Sequence, residues 1–332
     1  MGKNAIYMIS SGKLSRKQNT LVFEPQEGKK RYLPAETIGE IHIFGEINLN
    51  KKLLEFLSKN EILLHFYNHY GYYTGSFYPR EHYNSGFMIL KQAEHYLDKE
   101  KRIKLARKFV FAAYKNMRQV LNYYENRGVN LKDKMDRLDN LGEGIPSQRS
   151  IEGLMAIEGN IRETYYSAFD KIISSEDFKF GQRTKRPPKN YLNALISFGN
   201  SLIYTVTLSE IYKTHLDPRI GFLHTTNFRR FSLNLDVSEI FKPVFVDRLI
   251  FSLLNKGQIR TKHFLKDLNG IYLNETGKKI FLEEWEKRLK TTVKHPTLKR
   301  KVSYRYLIRL ELYKIEKHLI GDKEYEPFIS RW

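Results

Sequence analysis

The stretch "GLMAIEGNIRETYYSAF", Gly153 to Phe169, has the apolar spacing of an amphipathic helix, with Leu154, Met155, Ile161, Tyr165, Ala168 and Phe169 forming the stripe. Glu158 falls inside that stripe. An ionised carboxylate there needs a partner, because burying it unpaired is very costly; a buried arginine, an opening at the core edge or a metal ion would each serve. A second segment, "DPRIGFLHTTNFRRFSLNLDVSEIFKPVFVDRL" (Asp217 to Leu249), supplies His224 after "IGFL" and then Asp236 and Glu239 in "DVSE". That last spacing also fits a capping box, with Asp236 as N-cap and Glu239 reaching back from the first turn. Together, Glu158, His224 and Glu239 (or Asp236) offer two carboxylates and one imidazole. Such oxygen-rich ligation suits Mg²⁺ or Mn²⁺, which keep waters and bind phosphate oxygens, better than zinc. In a basic protein an ion of this kind acts on phosphodiesters.

The chain is basic: 57 Lys plus Arg stand against 37 Asp plus Glu in 332 residues, a net charge of +20, so a polyanionic partner is favoured and nucleic acid leads. No run approaches the roughly 20 apolar residues of a membrane-spanning helix. An apolar share of 41% and an aromatic share of 14% provide for a sizeable core and argue against disorder. The absence of cysteine removes disulfides, thiolate metal sites and cysteine nucleophiles, and fits a reducing cytoplasm. "MGKNAIYMISSGKLSRK" is too weakly apolar for a signal peptide, and Ile6 stands where a myristoylation signal needs Ser or Thr. A cytoplasmic location is expected.

The elements that must position the candidate residues change character along the chain. Short runs with turn punctuation, "AIYMI", "TLVFE", "RYLP", "IGEIHIF", "EILLHFY" and "YYTGSFY", predict a small β-rich domain over residues 1–78, with one helix in "NKKLLEFLSKN" capped by Asn50. Pro79 and Gly86 punctuate a linker over 79–86. Residues 87–332 read as an all-α catalytic domain, with helices at about Ile89–Tyr124, Ser150–Ile173, Tyr191–Lys213, Asp236–Leu254 and Val302–Ile320. The fold class is therefore α+β and multidomain.

Three acid-free basic clusters are candidates for phosphate contact. "KRIKLARKFVFAAYKNMR" carries Lys104 and Lys108 among seven cations, "KFGQRTKRPPKN" carries Arg183, Lys185 and Arg186, and "VKHPTLKRKVSYRY" carries Lys299 and Arg300 beside Tyr304 and Tyr306. Tyr165 and Tyr166 either position DNA or pack in the core. Asn193 either orients a ligand or caps a backbone group.

"AIEGNIRETYYSAF", "RPPKNYLNALISFGNSLIY", "HLDPRIGFLH" and "SLNLDVSEIFKPVFVDRLIF", in this order, resemble the first family of CRISPR-associated proteins, the integrases of spacer acquisition. The resemblance covers essentially the whole chain. It implies a metal-dependent DNA endonuclease and integrase, with hydrolase-type phosphodiester chemistry, that joins incoming DNA to a CRISPR repeat by direct attack of a 3′-hydroxyl in antiviral defence. It further implies a homodimer that works with the small second CRISPR-associated protein. The family's catalytic and metal-binding positions fall on Glu158, His224 and Glu239, with Asp236 as a supporting acid. Dimerisation through the β-rich domain is expected, with "IGEIHIF" as a candidate edge strand. A repair-type nuclease acting on branched DNA with the same metal site, and a DNA scaffold without enzymatic activity, are the alternatives.

Overall fold

The computed structural model describes residues 3–79, 83, 85–226, 231–268 and 270–331. The N-terminal part runs through β1 (Asn4–Met8), β2 (Gly12–Lys17), β3 (Thr20–Pro25), β4 (Arg31–Pro34), β5 (Ile38–Ile43), β6 (Ile47–Asn48), helix α1 (Lys51–Lys59), β7 (Leu63–Tyr67) and β8 (Tyr73–Phe77). It forms two four-stranded sheets, ordered β1-β5-β7-β8 and β4-β3-β2-β6. Leu14, Leu21, Phe23, Ile41, Ile43 and Leu64 from the strands meet Leu53, Phe56 and Leu57 of α1 in one buried cluster. Asn50 caps α1 as expected, accepting from the Leu53 amide at 2.9 Å. Strand β2 was not expected, because "GKLSRK" offers only Leu14 to the core; its place comes from antiparallel pairing along the whole of β3.

The expectation that "IGEIHIF" is an edge strand is overturned. β5 lies inside its sheet, parallel to β1 on one side and to β7 on the other, so its backbone groups are already paired. Its side chains are buried on both faces, which no edge strand requires.

The remainder is helical: α2 (Gly86–Leu97), α3 (Lys99–Glu125), α4 (Lys132–Glu143), α5 (Ile151–Tyr166), α6 (Phe169–Ile172), α7 (Tyr191–Ile211), α8 (Ser232–Lys242), α9 (Arg248–Asn255), α10 (Glu275–Lys290) and α11 (Tyr304–Leu319). Two short hairpins, β9 (Phe264–Asp267) with β10 (Gly270–Leu273) and β11 (Thr292–Lys294) with β12 (Lys301–Ser303), interrupt it. The fold is α+β, with a β-rich start and a helical body. The expected linker falls largely on residues 80–82 and 84, outside the described ones. Asp98 divides the long helix expected over 89–124, accepting from the amides of Glu100 and Lys101 and so starting α3 afresh. Among the described residues no helix is long and apolar enough to cross a membrane.

A buried ionic seam joins the two parts. Arg305 of α11 makes paired bonds of 2.7 and 2.6 Å to Glu40 on β5 and turns its Nε to Glu210 of α7 at 2.7 Å. Arg309 takes the other oxygen of Glu210, and His42 donates from Nε2 to the Glu40 carboxylate at 3.0 Å. Glu40, His42 and Glu210 are fully buried, so this polar face of β5 is satisfied by the helical body rather than by water.

Candidate functional site

The loop carrying His224 is moulded onto the start of α8. Gly221 passes so close that a Cβ there would stand 2.5 Å from the Ser232 carbonyl carbon and 2.6 Å from the Leu233 nitrogen, which is why no side chain fits. Ser232 accepts from the Gly221 amide and donates to the Arg219 carbonyl, and the Leu233 amide donates to Pro218. The last of these takes up one backbone donor of the first turn of α8, whose preceding residue Phe231 offers no side-chain cap. The helix therefore begins a turn earlier than "DVSE" suggested, and the capping box does not form. From the other side, buried Gln92 of α2 holds Asp217 and Ile220, and Arg102 of α3 donates to the Phe222 carbonyl.

Asp236, fully buried in the second turn of α8, is the hub of this loop rather than its N-cap. One oxygen accepts from the amides of Phe222 at 2.6 Å and Leu223 at 3.0 Å; the other accepts from the His224 amide at 3.0 Å and from its Nδ1 at 2.8 Å. Burial alone would lower the His224 imidazole, but the Asp236 bond and the charges of Asp236 and Glu239 outweigh it and raise its pKa. With Nδ1–H given to Asp236, the neutral ring keeps its lone pair on Nε2.

Glu158 on α5 and Glu239 on α8 converge on one guanidinium. Arg162, one turn beyond Glu158, bonds Glu158 through Nε at 2.7 Å and through Nη2, and the same Nη2 bonds Glu239. Lys242, one turn beyond Glu239, bonds its second oxygen. Burial pushes the Glu239 carboxyl up, but Arg162, Lys242 and His224 together hold it below the usual carboxylate range. Glu158 sits on the margin of its helix stripe with 14% of its side chain exposed, whereas Leu154, Ile161 and Tyr165 are buried. The structure thus brings Glu158 and Glu239 together on Arg162, and sets His224, oriented by Asp236, near enough to Glu239 for their charges to interact. Among the described residues no three His, Asp or Glu form a ready-made metal-ligand group. Arg162, Lys242 and Asp247 belong to this centre and were missed; the i, i+4 spacing of Glu158 with Arg162 and the i, i+3 spacing of Glu239 with Lys242 were the signals available.

The other expected residues divide. Asn193 accepts from the Thr184 amide and from Arg183, and donates to the Gln182 carbonyl, so it pins the basic linker to α7. Arg183 is spent on Asn193, Ser197 and the Thr184 carbonyl and is a structural cation rather than a free phosphate contact. Lys185 and Arg186 are exposed; the Tyr72 hydroxyl holds the Lys185 carbonyl at 2.6 Å, and Arg186 lies over the Tyr72 ring. Although Lys185 reaches solvent, its ammonium is partly desolvated, and this first, then the charges of Arg183, Lys242 and Arg162, lower it, as fits a place on the rim of the centre. Tyr165 and Tyr166 are buried at 1% and 4% exposure, Tyr165 edge-to-face with Phe169 and Tyr166 stacked on Phe180, which rules out their touching DNA in this arrangement. Lys104 and Lys108 pair with Glu324, and Lys108 also with Glu326, in exposed ion pairs away from the carboxylate centre's own contacts. Lys299 and Arg300 are exposed on the turn between β11 and β12, with Arg300 5.8 Å from the Tyr306 ring centre.

The arrangement is that of an α+β protein whose carboxylate–imidazole centre lies between helices beneath a basic rim. The sequence profile described as "CRISPR associated protein Cas1" matches residues 6–287, and the chain belongs to that family. It is 59% identical, over 99% of its length and 100% of the relative's, to "CRISPR-associated endonuclease Cas1 2" of Thermodesulfovibrio yellowstonii. Its fold superposes with a TM-score of 0.89 on a solved CAS1 protein from Thermotoga maritima, at 50% identity, covering 97% of this chain and 98% of that one. A casposase solved bound to an integration product has the same fold, with a TM-score of 0.85 at 20% identity, covering 100% of this chain and 95% of that one.

Proposed function

We propose that the chain is a metal-dependent DNA endonuclease and integrase that inserts new spacers into a CRISPR array by attack of a 3′-hydroxyl on repeat DNA. The reading has it act in the cytoplasm as a homodimer with the small second CRISPR-associated protein. The observation that carries it is the convergence of Glu158 and Glu239, from separate helices, on a single positive charge beside an imidazole oriented by a buried carboxylate. This donor set fits a hard divalent cation: Glu158, Glu239 and Nε2 of His224 would hold Mg²⁺ or Mn²⁺. Bound there, the ion would polarise a phosphoryl oxygen and lower the pKa of the attacking hydroxyl.

The chain's own residues do the rest. Asp236 keeps the His224 ring in one tautomer and one orientation. Lys242 and Lys185 put positive charge at the rim, where a DNA phosphate would approach, and exposed Arg186, Lys299 and Arg300 extend it. Dimerisation through the β-rich part remains part of the reading; with β5 internal, the open side of β4, where Tyr32 is 58% exposed, takes its place as the candidate edge.

A second reading has one observation in its favour. The Arg162 bridge is what a purely structural ion cluster would contain, as in a DNA scaffold without activity. Incubating the protein and its small partner with a duplex bearing 3′-hydroxyls and a repeat-bearing plasmid in Mn²⁺ separates the readings. Joined product that disappears in Glu158→Gln, with DNA affinity retained, is the expected result. Cleavage without joining would point to the hydrolytic nuclease, and no reaction with either nucleophile would leave the scaffold.

A further inference from the structure

Asp247 has no role in the reading above, yet it is an unusual residue to find where it is. It ends the π-helical turn Pro243–Asp247 between α8 and α9, and it is 2% exposed. Its Oδ1 makes no hydrogen bond of ordinary length and angle, and neither does the buried Tyr165 hydroxyl, the polar neighbour near enough to interact weakly with the carboxyl. An unpartnered buried carboxylate is unfavourable wherever it stands, and a neutral side chain of the same size would avoid the cost. Burial raises this carboxyl to about 7, while Arg162, the Tyr165 hydroxyl and Lys242 pull it down and Glu239 opposes them, so it shares the field of Glu239 and Arg162. π-turns insert one extra residue into a helix and re-aim the side chains around them, which occurs often at functional sites.

Arg162 poses the complementary problem. Its guanidinium cannot give up its proton, its side chain is only 18% exposed, and it occupies the space between Glu158 and Glu239. For a divalent cation to be held by those carboxylates, the guanidinium would have to give way, and without an acceptor it would face the ion as a like charge in a poorly solvated cleft.

We propose that Asp247 is the second seat of the Arg162 guanidinium, a positioning residue that takes this charge when a divalent cation occupies Glu158 and Glu239. The inference rests on the metal reading of the site. In the exchange Oδ1 of Asp247 gains the partner it lacks, and the guanidinium moves from one acidic neighbour to another without passing into solvent.

The test is a double-mutant cycle read by Mn²⁺ binding, with free Mn²⁺ followed by electron paramagnetic resonance in the absence of DNA. Asp247→Asn is expected to weaken Mn²⁺ binding about tenfold in the unsubstituted background and less than about twofold in Arg162→Gln, which has no guanidinium to place. Equal affinity in Asp247→Asn, or the same loss in both backgrounds, overturns the proposal. Unsubstituted protein that binds no Mn²⁺ overturns the metal reading itself. If Asp247→Asn does not fold, hydrogen exchange at Nε–H of Arg162, followed by nitrogen-15 resonance on the unsubstituted protein, decides the matter. Protection both with and without Mg²⁺ is expected, and release to the exchange rate of an exposed arginine on adding Mg²⁺ overturns the proposal.

Discussion

Asp236→Asn is the substitution whose consequences the geometry specifies most fully. As an N-cap, Asp236 would be worth about 1 kcal/mol; as the fully buried acceptor of four hydrogen bonds it is worth more. Asparagine keeps the shape but turns one of the two oxygens into a donor. With that NH₂ toward Phe222 and Leu223, two buried amides lose their acceptor. With it toward His224, the His224 amide loses its acceptor and the ring must shift its proton to Nε2 so that Nδ1 can accept. At about 1.5–3 kcal/mol for each bond to a charged group, less what relaxation and the new Asn–His bond return, the expected destabilisation is about 2–4 kcal/mol. The less damaging arrangement is also the inactive one, because a proton on Nε2 removes the lone pair that would face a metal. Urea unfolding at unchanged m-value measures the first effect, and nitrogen-15 shifts of the imidazole report the tautomer. Wild-type stability together with a wild-type tautomer would refute the assignment of Asp236 as the hub of the loop.

Two further outcomes follow from the ion pairs. Burial alone would raise Glu210, but Lys213, Arg305 and Arg309 outweigh it and hold it at about 2, against an ordinary value of 4.5, a difference worth about 3 kcal/mol. Because the folded value is depressed, that stability is complete above about pH 4.5 and is lost as the pH falls toward 2. In Glu210→Gln the circular-dichroism melting temperature should be lower at pH 7 and fall less between pH 5 and 3 than in the unsubstituted chain; an unaltered pH profile contradicts the pairing. Neutralising Lys185 and Arg186 together should reduce the salt dependence of DNA binding by nearly two units of slope with folding intact, whereas Arg183→Ala should lower the melting temperature by loosening the linker. Fluorescence anisotropy across a salt series, beside thermal melts of both variants, checks the division.

The readable part of the fold was local. The strands from "AIYMI" to "YYTGSFY" and the helix after Asn50 follow from β-branched and aromatic runs and from a cap, and they lie close to where the sequence puts them. The order of strands in a sheet is not local, and the centrality of β5 depends on partners distant in sequence at β1 and β7. Helix α10 was missed because its many charges hide the helical spacing of Phe281, Trp285 and Leu289. At the site, Glu158 was legible as a carboxylate out of place and the arginine partner was among the possibilities weighed. Asp236 was misread because "DVSE" has the local form of a cap, while the groups that bond it come from a loop twelve to fourteen residues upstream. Tyr165 kept two readings in the sequence, and burial settles on packing.

The ionic seam of Glu40, His42, Glu210, Arg305 and Arg309 bears on how such a protein can diversify. Its members come from a strand near the start of the chain, a helix in the middle and another near the end, and replacing Arg305 alone would leave Glu40 with no cation beside it in the interior. A crossover between two related genes near residue 80 would separate Glu40 from the arginine that neutralises it. Hybrids whose halves both carry the set would fold, and hybrids that mix a seam with a seamless half would not. Phe44 and Tyr67 of the β-rich part also pack into the core of the helical body, so an exchange at that point would have to match apolar as well as ionic surfaces.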